Sequence, residues 1–254
     1  MNEDIQITRE AALMSIRLNR PDKKNAITTA MYAAMADALE QAGEEPAIIA
    51  VTITGAGDMF TAGNDINDFL LARAAGPDLP VFRFLRAIAS CPKVLVAGVR
   101  GSAIGIGTTM LLHCDLVLAA PGTRFAMPFV DLALVPEAAS SMLLPRMIGR
   151  QRAAKHLILA EPFDVETALG YGLVTEIVAG EELDARVQET AQKIARKPPE
   201  AVLLTKKLLL SPDESVIERI EREGQLFDER LSSAEAKEAF TAFFEKRAPD
   251  FTRR

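Results

Sequence analysis

One carboxylate, Glu137, stands in the stretch LALVPEAASS, residues 132–141, between an apolar run and four small side chains. An ionised side chain in apolar surroundings costs several kcal/mol unless it is paired or has a chemical task. Apolar neighbours such as Leu134, Val135 and Ala138 also raise the pKa of a carboxyl group, because burial disfavours its charged form. The pattern singles out Glu137 as a carboxylate that needs either a partner or a chemical task, such as that of a general base. The alternative is an exposed or helix-capping loop glutamate.

Two glycine-rich turns are the second candidate for chemistry, FTAGND at 60–65 and GSAIGIG at 101–107. Glycine lets the backbone turn so that amide N–H groups face a cavity. Two such turns, each before a predicted helix, can direct two donors at one oxygen, which is the arrangement of an oxyanion hole. The alternative is that each turn only reverses the chain.

Several other kinds of site are not favoured. The run GIGTTM lacks the third glycine of a dinucleotide-binding motif, and no Gly-Lys-Ser/Thr follows it, as a phosphate-binding loop requires. The only histidines are His113 and His156, and no Gly-x-Ser-x-Gly occurs, which disfavours a Ser-His-Asp hydrolase. Cys91 and Cys114 lack metal-ligand spacing, so we expect reduced, packed thiols and no metal site.

The overall composition narrows the partners. The chain has 254 residues, 29 basic and 35 acidic, and a net charge of -6, which disfavours nucleic acid and anionic membranes. The most apolar region, residues 94–120, is interrupted by Arg100, Asp115 and several glycines, so no membrane span is expected. The charged start lacks the apolar core of a signal peptide and the end is no peroxisomal address, which predicts a cytoplasmic location.

The elements that must position these residues alternate between strands and helices. A hairpin is predicted in residues 5–20, with its turn at Arg9 and Glu10, and a helix follows with an apolar stripe and an end at Gly43. Buried strands then alternate with helices up to residue 178, which predicts an α/β core. RKPPEA marks a boundary between a core at 1–196 and a helical region at 197–254. In that second region Ser232 and Glu235 form a predicted capping box. The apolar stripe of the helix predicted before Gly43 consists of Ile27, Met31, Met35 and Leu39.

Five motifs together resemble the enoyl-CoA hydratase/isomerase, or crotonase, superfamily in order and spacing: IRLNRPDKKNAI, FTAGNDINDF, GSAIGIG, FAMPFVDLALVPEAASS and GLVTEIV. The resemblance covers nearly the whole chain, including the C-terminal FFEKRAPDF. It implies an α/β crotonase (ClpP-like) spiral of ββα units, with C-terminal helices that assemble a homo-oligomer, a trimer or a hexamer. It also implies an acyl-CoA thioester substrate, with coenzyme A as part of the substrate and no separate cofactor.

The same resemblance assigns roles to residues. The main-chain amides of Asn64 and Ile106 are the expected oxyanion hole, although the family usually has glycine where Ile106 stands. Coenzyme A is expected near Lys23, Lys24 and Lys246, the last often from an adjacent subunit; each is alternatively a solvated surface charge. The other residues expected to bind the substrate are Ala62, Gly63, Asp65, Ile66, Gly105 and Phe243.

Hydratases of this family place glutamates at two positions that here hold Thr109 and Phe129. The position of Glu137 instead resembles the catalytic glutamate of peroxisomal-type delta-3 to delta-2 enoyl-CoA isomerases, which need a single base. Asp131 is a rival acid, and Asp65 is expected to cap the following helix. Residues 67–75, with Phe69, Leu70 and Leu71, are expected in the pocket wall. Hydration, ring or epoxide isomerisation, thioester hydrolysis and non-catalytic acyl-CoA binding are the alternatives.

Overall fold

The computed structural model of the protein describes residues 3–73, 79–210 and 214–251. The chain divides into two compact units, residues 1–192 and 193–254, a few residues before the boundary predicted at RKPPEA. Within the described ranges, no helix is both long and apolar enough to cross a bilayer.

The first unit is built on short strands: β1 (Ile5–Glu10), β2 (Leu13–Leu18), β3 (Ala50–Gly55), β4 (Val94–Val99), β5 (Ser102–Ile104), β6 (Leu116–Ala119), β7 (Arg124–Ala126), β8 (Phe163–Asp164) and β9 (Glu176–Ile177). The central strands β3 and β4 are rich in β-branched residues, as buried parallel strands usually are. One sheet has the order β1-β2-β3-β4-β6-β9, parallel from β2 onward, and a smaller sheet has the order β5-β7-β8.

The predicted hairpin is present, but its turn is two residues later than expected. Glu10 pairs with Leu13, so Arg9 and Glu10 belong to β1 and the loop consists of Ala11 and Ala12. A two-residue hairpin loop requires left-handed backbone, and Ala11 has a φ of 49°. The charges at Arg9 and Glu10 suit an exposed strand edge as well as a turn, which is why the sequence prediction was wrong there.

The helices of the first unit alternate with these strands. The apolar stripe of the first helix, α1 (Thr29–Glu44), is buried as predicted, although the helix passes Gly43 and ends at Glu44. A helix-interior glycine costs only about 1 kcal/mol, so Gly43 does not by itself stop the helix. The helices are α1 (Thr29–Glu44), α2 (Ile66–Arg73), α3 (Pro80–Ser90), α4 (Ile106–Thr109), α5 (Ser140–Ile148), α6 (Arg150–Leu157), α7 (Val165–Tyr171) and α8 (Leu183–Ala195), whose last residues belong to the second unit.

The second unit is helical, as predicted, with α9 (Pro199–Leu209), α10 (Val216–Leu231) and α11 (Ala234–Glu245). The capping box predicted at Ser232 and Glu235 is wrong. Ser232 has helical backbone and ends α10, whereas Ser233 caps α11 by accepting from the amide of Ala236 at 3.1 Å. A full capping box occurs instead at the start of α10, between Ser215 and Glu218.

Strand β5 was not predicted and matters for the site, because it lies inside the second glycine-rich turn. It pairs in parallel with β7, with Ala103 opposite Phe125. Three extended residues next to glycines carry little sequence signal, and their pairing partner lies about twenty residues away. The pairing fixes the turn from which α4 begins.

Candidate active site

A cavity of about 800 Å³ opens in the first unit where the two glycine-rich turns meet the segment around Glu137. Among the lining residues that the structure describes, the polar side chains are those of Asn64 and Glu137. Such a lining suits an apolar ligand held by a few polar groups. The described lining consists of Ala62, Gly63, Asn64, Ile66, Leu79, Phe82, Leu85, Ile104, Gly105, Ile106, Pro128, Phe129, Leu132, Leu134, Val135, Pro136, Glu137 and Ala138.

The carboxyl group of Glu137 is buried, and one of its oxygens lacks a hydrogen-bond partner within the described residues. This oxygen is Oε1, which is shielded from solvent. Burial raises the pKa of Glu137 from its ordinary value of 4.5 to about 7, which confirms the direction that the apolar neighbours predict. A carboxylate with a pKa near neutrality both accepts and returns a proton readily at physiological pH.

The backbone around Glu137 is held by unusual geometry and specific hydrogen bonds. Ala138 and Ala139 both have left-handed backbone, with φ values of 53° and 54°, which costs about 1–2 kcal/mol per residue. The amide and hydroxyl of Ser140 both donate to the Glu137 carbonyl oxygen, at 2.9 and 2.7 Å. Nε2 of His113 lies 2.9 Å from the carbonyl oxygen of Ala138. The small residues after Glu137 therefore form a fixed turn, and of residues 138–141 only Ala138 lines the cavity.

The three other positions at which an acid was considered, 109, 129 and 131, place no carboxyl group in the cavity. Thr109 is fully buried and its hydroxyl lies 3.5 Å from the carbonyl of Ile106. Phe129 is one of the lining residues, and Asp131 is exposed and outside the lining. Of the lining residues in the described ranges, Glu137 is thus the sole ionisable one.

In the first turn, the residues on both sides of Asn64 are bound to Ile27. The amide of Ile27 donates to the Gly63 carbonyl at 2.8 Å, and the amide of Asp65 donates to the Ile27 carbonyl at 2.9 Å. Alternate groups of an extended chain point to opposite sides, so the Asn64 amide faces away from Ile27. Within the described residues it makes no hydrogen bond, and Asn64 lines the cavity.

In the second turn, Gly105 allows the chain to enter α4. Its φ of 56° with ψ of -116° is a conformation that residues with a Cβ rarely adopt. Its carbonyl accepts from the amides of Thr108 and Thr109, both at 3.0 Å. The amide of Ile106, at the first position of the helix, has no partner among the described residues, as expected for a helix N-terminus.

The two glycine-rich turns are joined by main-chain hydrogen bonds. The main-chain amide of Thr61 donates to the carbonyl of Ser102, and its main-chain carbonyl accepts from the amide of Ile104, both at 3.1 Å. A Cβ on Gly63 would lie 2.9 Å from the Ile104 carbonyl oxygen, closer than real Cβ atoms come. Ala62, Gly63, Asn64, Ile66, Gly105, Ile106 and Glu137 consequently line one cavity.

Asp65 and Lys24 were predicted at the substrate but do not line the cavity. Asp65 forms an ion pair with Arg20 at 2.8 Å, which lowers the pKa of Asp65. Its Oδ1 accepts from the amide of Asp68 at 3.3 Å, so the expected helix cap is confirmed. Lys24 is exposed, and its carbonyl accepts from the amide of Ala62 at 2.9 Å.

Three predicted contacts fall elsewhere. Phe243 and Lys246 are exposed residues of the second unit. In the predicted pocket wall, Leu71 is exposed and does not line the cavity. The side chains of Phe69 and Leu70, and residues 74 and 75, lie outside the described residues.

Two residues that position the site were missed from the sequence. Asn25 is fully buried; its Nδ2 donates to the carbonyls of Ala56 and Met59, and its carbonyl accepts from the Thr61 hydroxyl. Its signal was the asparagine at the end of PDKKN, a residue type that tolerates left-handed backbone. Tyr32 is buried in α1 and its hydroxyl donates to Oδ1 of Asn64. Its signal was a phenol beside an apolar stripe, since buried tyrosines usually have a partner.

Comparison with known proteins points to one family. The family model described as "Enoyl-CoA hydratase/isomerase" matches residues 8–254. The 1,2-epoxyphenylacetyl-CoA isomerase of Escherichia coli (strain K12) is 34% identical over 253 residues, 96% of each chain. Enoyl-CoA delta isomerase 2 of Rattus norvegicus is 34% identical over 228 residues, 87% of this chain and 58% of the relative.

A solved structure from Magnetospirillum magneticum AMB-1 matches all of both chains at 45% identity, with a TM-score of 0.96. The likeness confirms the expected crotonase fold, and the named relatives are enzymes that act on acyl-CoA thioesters. The chain therefore belongs to the enoyl-CoA hydratase/isomerase family and is an acyl-CoA-transforming enzyme.

Proposed function

We propose that the protein is a delta-3 to delta-2 enoyl-CoA isomerase that uses Glu137 as its single base. The observation that carries this proposal is one buried, unpaired carboxyl group with a pKa of about 7 in an otherwise apolar cavity. Asn64 and Ile106 line the same cavity, and their main-chain amides make no hydrogen bond within the described residues. Coenzyme A enters as part of the substrate, and no separate cofactor is needed.

In the proposed reaction, the thioester carbonyl of a 3-enoyl-CoA accepts from the amides of Asn64 and Ile106. Glu137 removes a proton from C2, and the electron pair of the broken C–H bond forms a dienolate whose negative charge is shared by the carbonyl oxygen, C2 and C4. The protonated Glu137 then returns the proton to C4, which leaves the double bond between C2 and C3. Removing one oxyanion-hole donor typically costs about 3–4 kcal/mol of barrier, so the two amides are a large part of the catalysis.

Hydration is a poorer fit to these residues. Adding water across the double bond requires one group to activate the water and a second to handle the carbon proton. Thr109 and Phe129 stand where family hydratases carry glutamates, and neither side chain is an acid or a base. A single carboxyl group is sufficient for moving a double bond, because the same group gives back the proton that it removed.

We further propose that coenzyme A is bound by Lys24, Phe243 and Lys246, and that the active form is a homotrimer or hexamer. Lysine side chains suit the phosphates of the coenzyme, and these two lysines are exposed. Helix α10 has exposed apolar side chains at Ile217, Ile220 and Phe227, a helical spacing that favours burial against another chain. Analytical ultracentrifugation tests the assembly, and a monomer at micromolar concentration would contradict it.

The experiment that tests the function follows the conjugated thioester absorbance after mixing the enzyme with a trans-3-enoyl-CoA. We expect the signal to rise with the wild type and the rate to fall about 10²–10⁴-fold in Glu137→Gln, with acyl-CoA binding retained. Asp131→Asn is the matched control, because this acid is nearby in sequence but outside the cavity, and its rate should equal that of the wild type.

Other outcomes of the same assays would contradict the proposal. Unchanged turnover in Glu137→Gln would show that Glu137 is not the base. Rapid loss of absorbance with crotonyl-CoA would indicate a hydratase, and binding of acyl-CoA without turnover of any thioester would indicate a non-catalytic binder.

A further inference from the structure

Tyr32 is a buried phenol directly behind the proposed oxyanion hole. It is 2% exposed, and its ring packs against Phe84 with ring centroids 5.5 Å apart. Its hydroxyl donates a hydrogen bond to Oδ1 of Asn64. The hydroxyl therefore acts on the side chain of the same residue whose main-chain amide is a proposed catalytic donor.

Residue 64 is held at three points by one short stretch of chain. Ile27, just before α1, binds the carbonyl of Gly63 and the amide of Asp65, on either side of Asn64. Tyr32, in the second turn of α1, binds the Asn64 side chain. The Asn64 amide belongs to the same planar peptide group as the Gly63 carbonyl, so the bond from Ile27 to that carbonyl sets the direction of the amide. The bond from Tyr32 adds a restraint on the Asn64 side chain.

The chemistry of the pair makes this hydrogen bond one-directional. An amide oxygen only accepts, so the phenol must donate, and it can do so only while neutral. Burial, and secondarily the negative charge of Glu137, raises the pKa of Tyr32 well above its ordinary value. The phenol stays protonated over the whole range in which Glu137 titrates. Nδ2 of Asn64 has no hydrogen-bond partner among the described residues, so Tyr32 is the only side chain there that holds this amide group.

We propose that Tyr32 is a positioning residue that acts through the Asn64 side chain to aim the Asn64 amide at the thioester oxygen. The inference rests on the proposed function, because it presumes that this amide binds the substrate carbonyl. The substrate itself has no contact with Tyr32 in this proposal. The residue works by restricting a donor that must already point at the oxygen before charge develops there.

The test uses Tyr32→Phe, Asn64→Ala and the double variant in the full-length enzyme. A conjugated dienoyl-CoA thioester serves as a probe, because its absorbance moves to longer wavelength when its carbonyl is polarised. For Tyr32→Phe we expect a smaller shift of the bound probe and a kcat about tenfold lower, as for the loss of one hydrogen bond. KM should change by less than about threefold, since ground-state binding is largely preserved.

The decisive comparison is between the single and double variants. If Tyr32 acts through Asn64, Asn64→Ala already abolishes its effect, so the double variant should match Asn64→Ala in kcat and in probe shift. Fully additive losses would overturn the proposal, because Tyr32 would then act independently of Asn64. A lower melting temperature with an unchanged probe shift and unchanged kcat would also overturn it, since that is the result of a purely structural role.

The matched control is Tyr171→Phe, which removes the hydroxyl of the chain's other tyrosine. That hydroxyl lies 3.1 Å from Nε2 of His156, and Tyr171 does not line the cavity, so the probe shift should equal that of the wild type. Failure of the proposed function is recognised separately. A wild type that shifts the probe but does not isomerise 3-enoyl-CoA refutes the isomerase and leaves the positioning role intact. A wild type that isomerises and a Tyr32→Phe variant that behaves identically refute the role of Tyr32 alone.

Discussion

The buried hydroxyl of Ser140 donates to the main-chain carbonyl of Glu137 at 2.7 Å, and this bond holds the turn that presents the carboxyl group. Ser140→Ala keeps the hydrogen bond from the main-chain amide of residue 140 to the Glu137 carbonyl. It removes the second donor to that carbonyl, the hydroxyl. We expect the free energy of unfolding to fall by about 1 kcal/mol and kcat to fall severalfold, because the carboxyl group is less well fixed. Urea denaturation and the isomerase assay measure the two effects.

The neighbouring Ser141→Ala is the control for that variant. Ser141 is exposed and makes no hydrogen bond through its hydroxyl in the described ranges, so stability and rate should stay at the wild-type level. Equal losses in both variants would show that the bond to Glu137 is not the cause.

The pH dependence of kcat/KM should report the ionisation of Glu137 in the free enzyme. The base must be ionised to accept a proton, and its pKa is about 7. We therefore expect kcat/KM to rise with pH, about tenfold per unit well below pH 7, and to level off above it. Steady-state assays across this range with a 3-enoyl-CoA measure the profile. A profile that is flat through neutrality, or that falls as pH rises through 7, would contradict the assignment of the base.

The contribution of Glu137 to the free energy of unfolding should fall as pH rises, whereas kcat/KM should rise. Between the ordinary pKa of 4.5 and the folded pKa of about 7, the folded protein retains a proton on Glu137 that the unfolded chain has lost. The contribution of Glu137 to stability is thus full below pH 4.5 and is lost as pH rises through 7, by up to about 3 kcal/mol. Chemical denaturation of the wild type and Glu137→Gln at several pH values isolates this contribution, since other groups cancel in the difference. We expect the variant to be the more stable protein at pH 8, and equal stability there would contradict the buried carboxylate.

The close packing of the two turns predicts a severe effect at Gly63. Gly63→Ala would combine a left-handed φ of 90° with a Cβ only 2.9 Å from the Ile104 carbonyl oxygen. We expect the enzyme to lose more than 2 kcal/mol of stability, or to fold with the turns displaced and activity reduced by at least about tenfold. Gly122→Ala is the control, because it has a similar φ of 75° but no atom within 4 Å of its new Cβ. It should cost only about 1 kcal/mol and retain activity, as measured by thermal unfolding and kcat.

The sequence predicted those features that depend on local pattern. The stripe of Met31, Met35 and Leu39 predicts the buried face of α1, and the spacing of apolar residues alone is sufficient for this. Glu137 stood out locally as a carboxylate among apolar residues, but the family resemblance indicated it as the base. Burial raises its pKa in the predicted direction, although its neighbours Leu134 and Val135 are themselves exposed. The meeting of the two glycine-rich turns was one of two alternatives that the sequence left open, and the family resemblance, not local pattern, favoured it.

The features that the sequence did not predict depend on partners distant along the chain. The sequence names no partner for Asn25, whose side chain donates to the carbonyls of Ala56 and Met59. Tyr32 sits beside the apolar stripe, and only the fold brings it to Asn64. Asp65 was expected at the substrate as well as at the helix, and the ion pair with Arg20 gives its carboxylate a different partner. In each case the missing information is the identity of a tertiary hydrogen-bond partner.

Thr61 has a consequence for how the enzyme acquires its site during folding. It binds the carbonyl of Asn25, the carbonyl of Ser102 and the amide of Ile104, so it joins parts of the chain about forty residues apart on either side. Contacts of such long range form late and slowly, because much chain entropy is lost before they are made. A fragment that lacks residues 102–104 loses the two main-chain hydrogen bonds that join the first turn to the second. Any ligand that needs both turns therefore binds only the completed unit and protects all of it from unfolding and proteolysis.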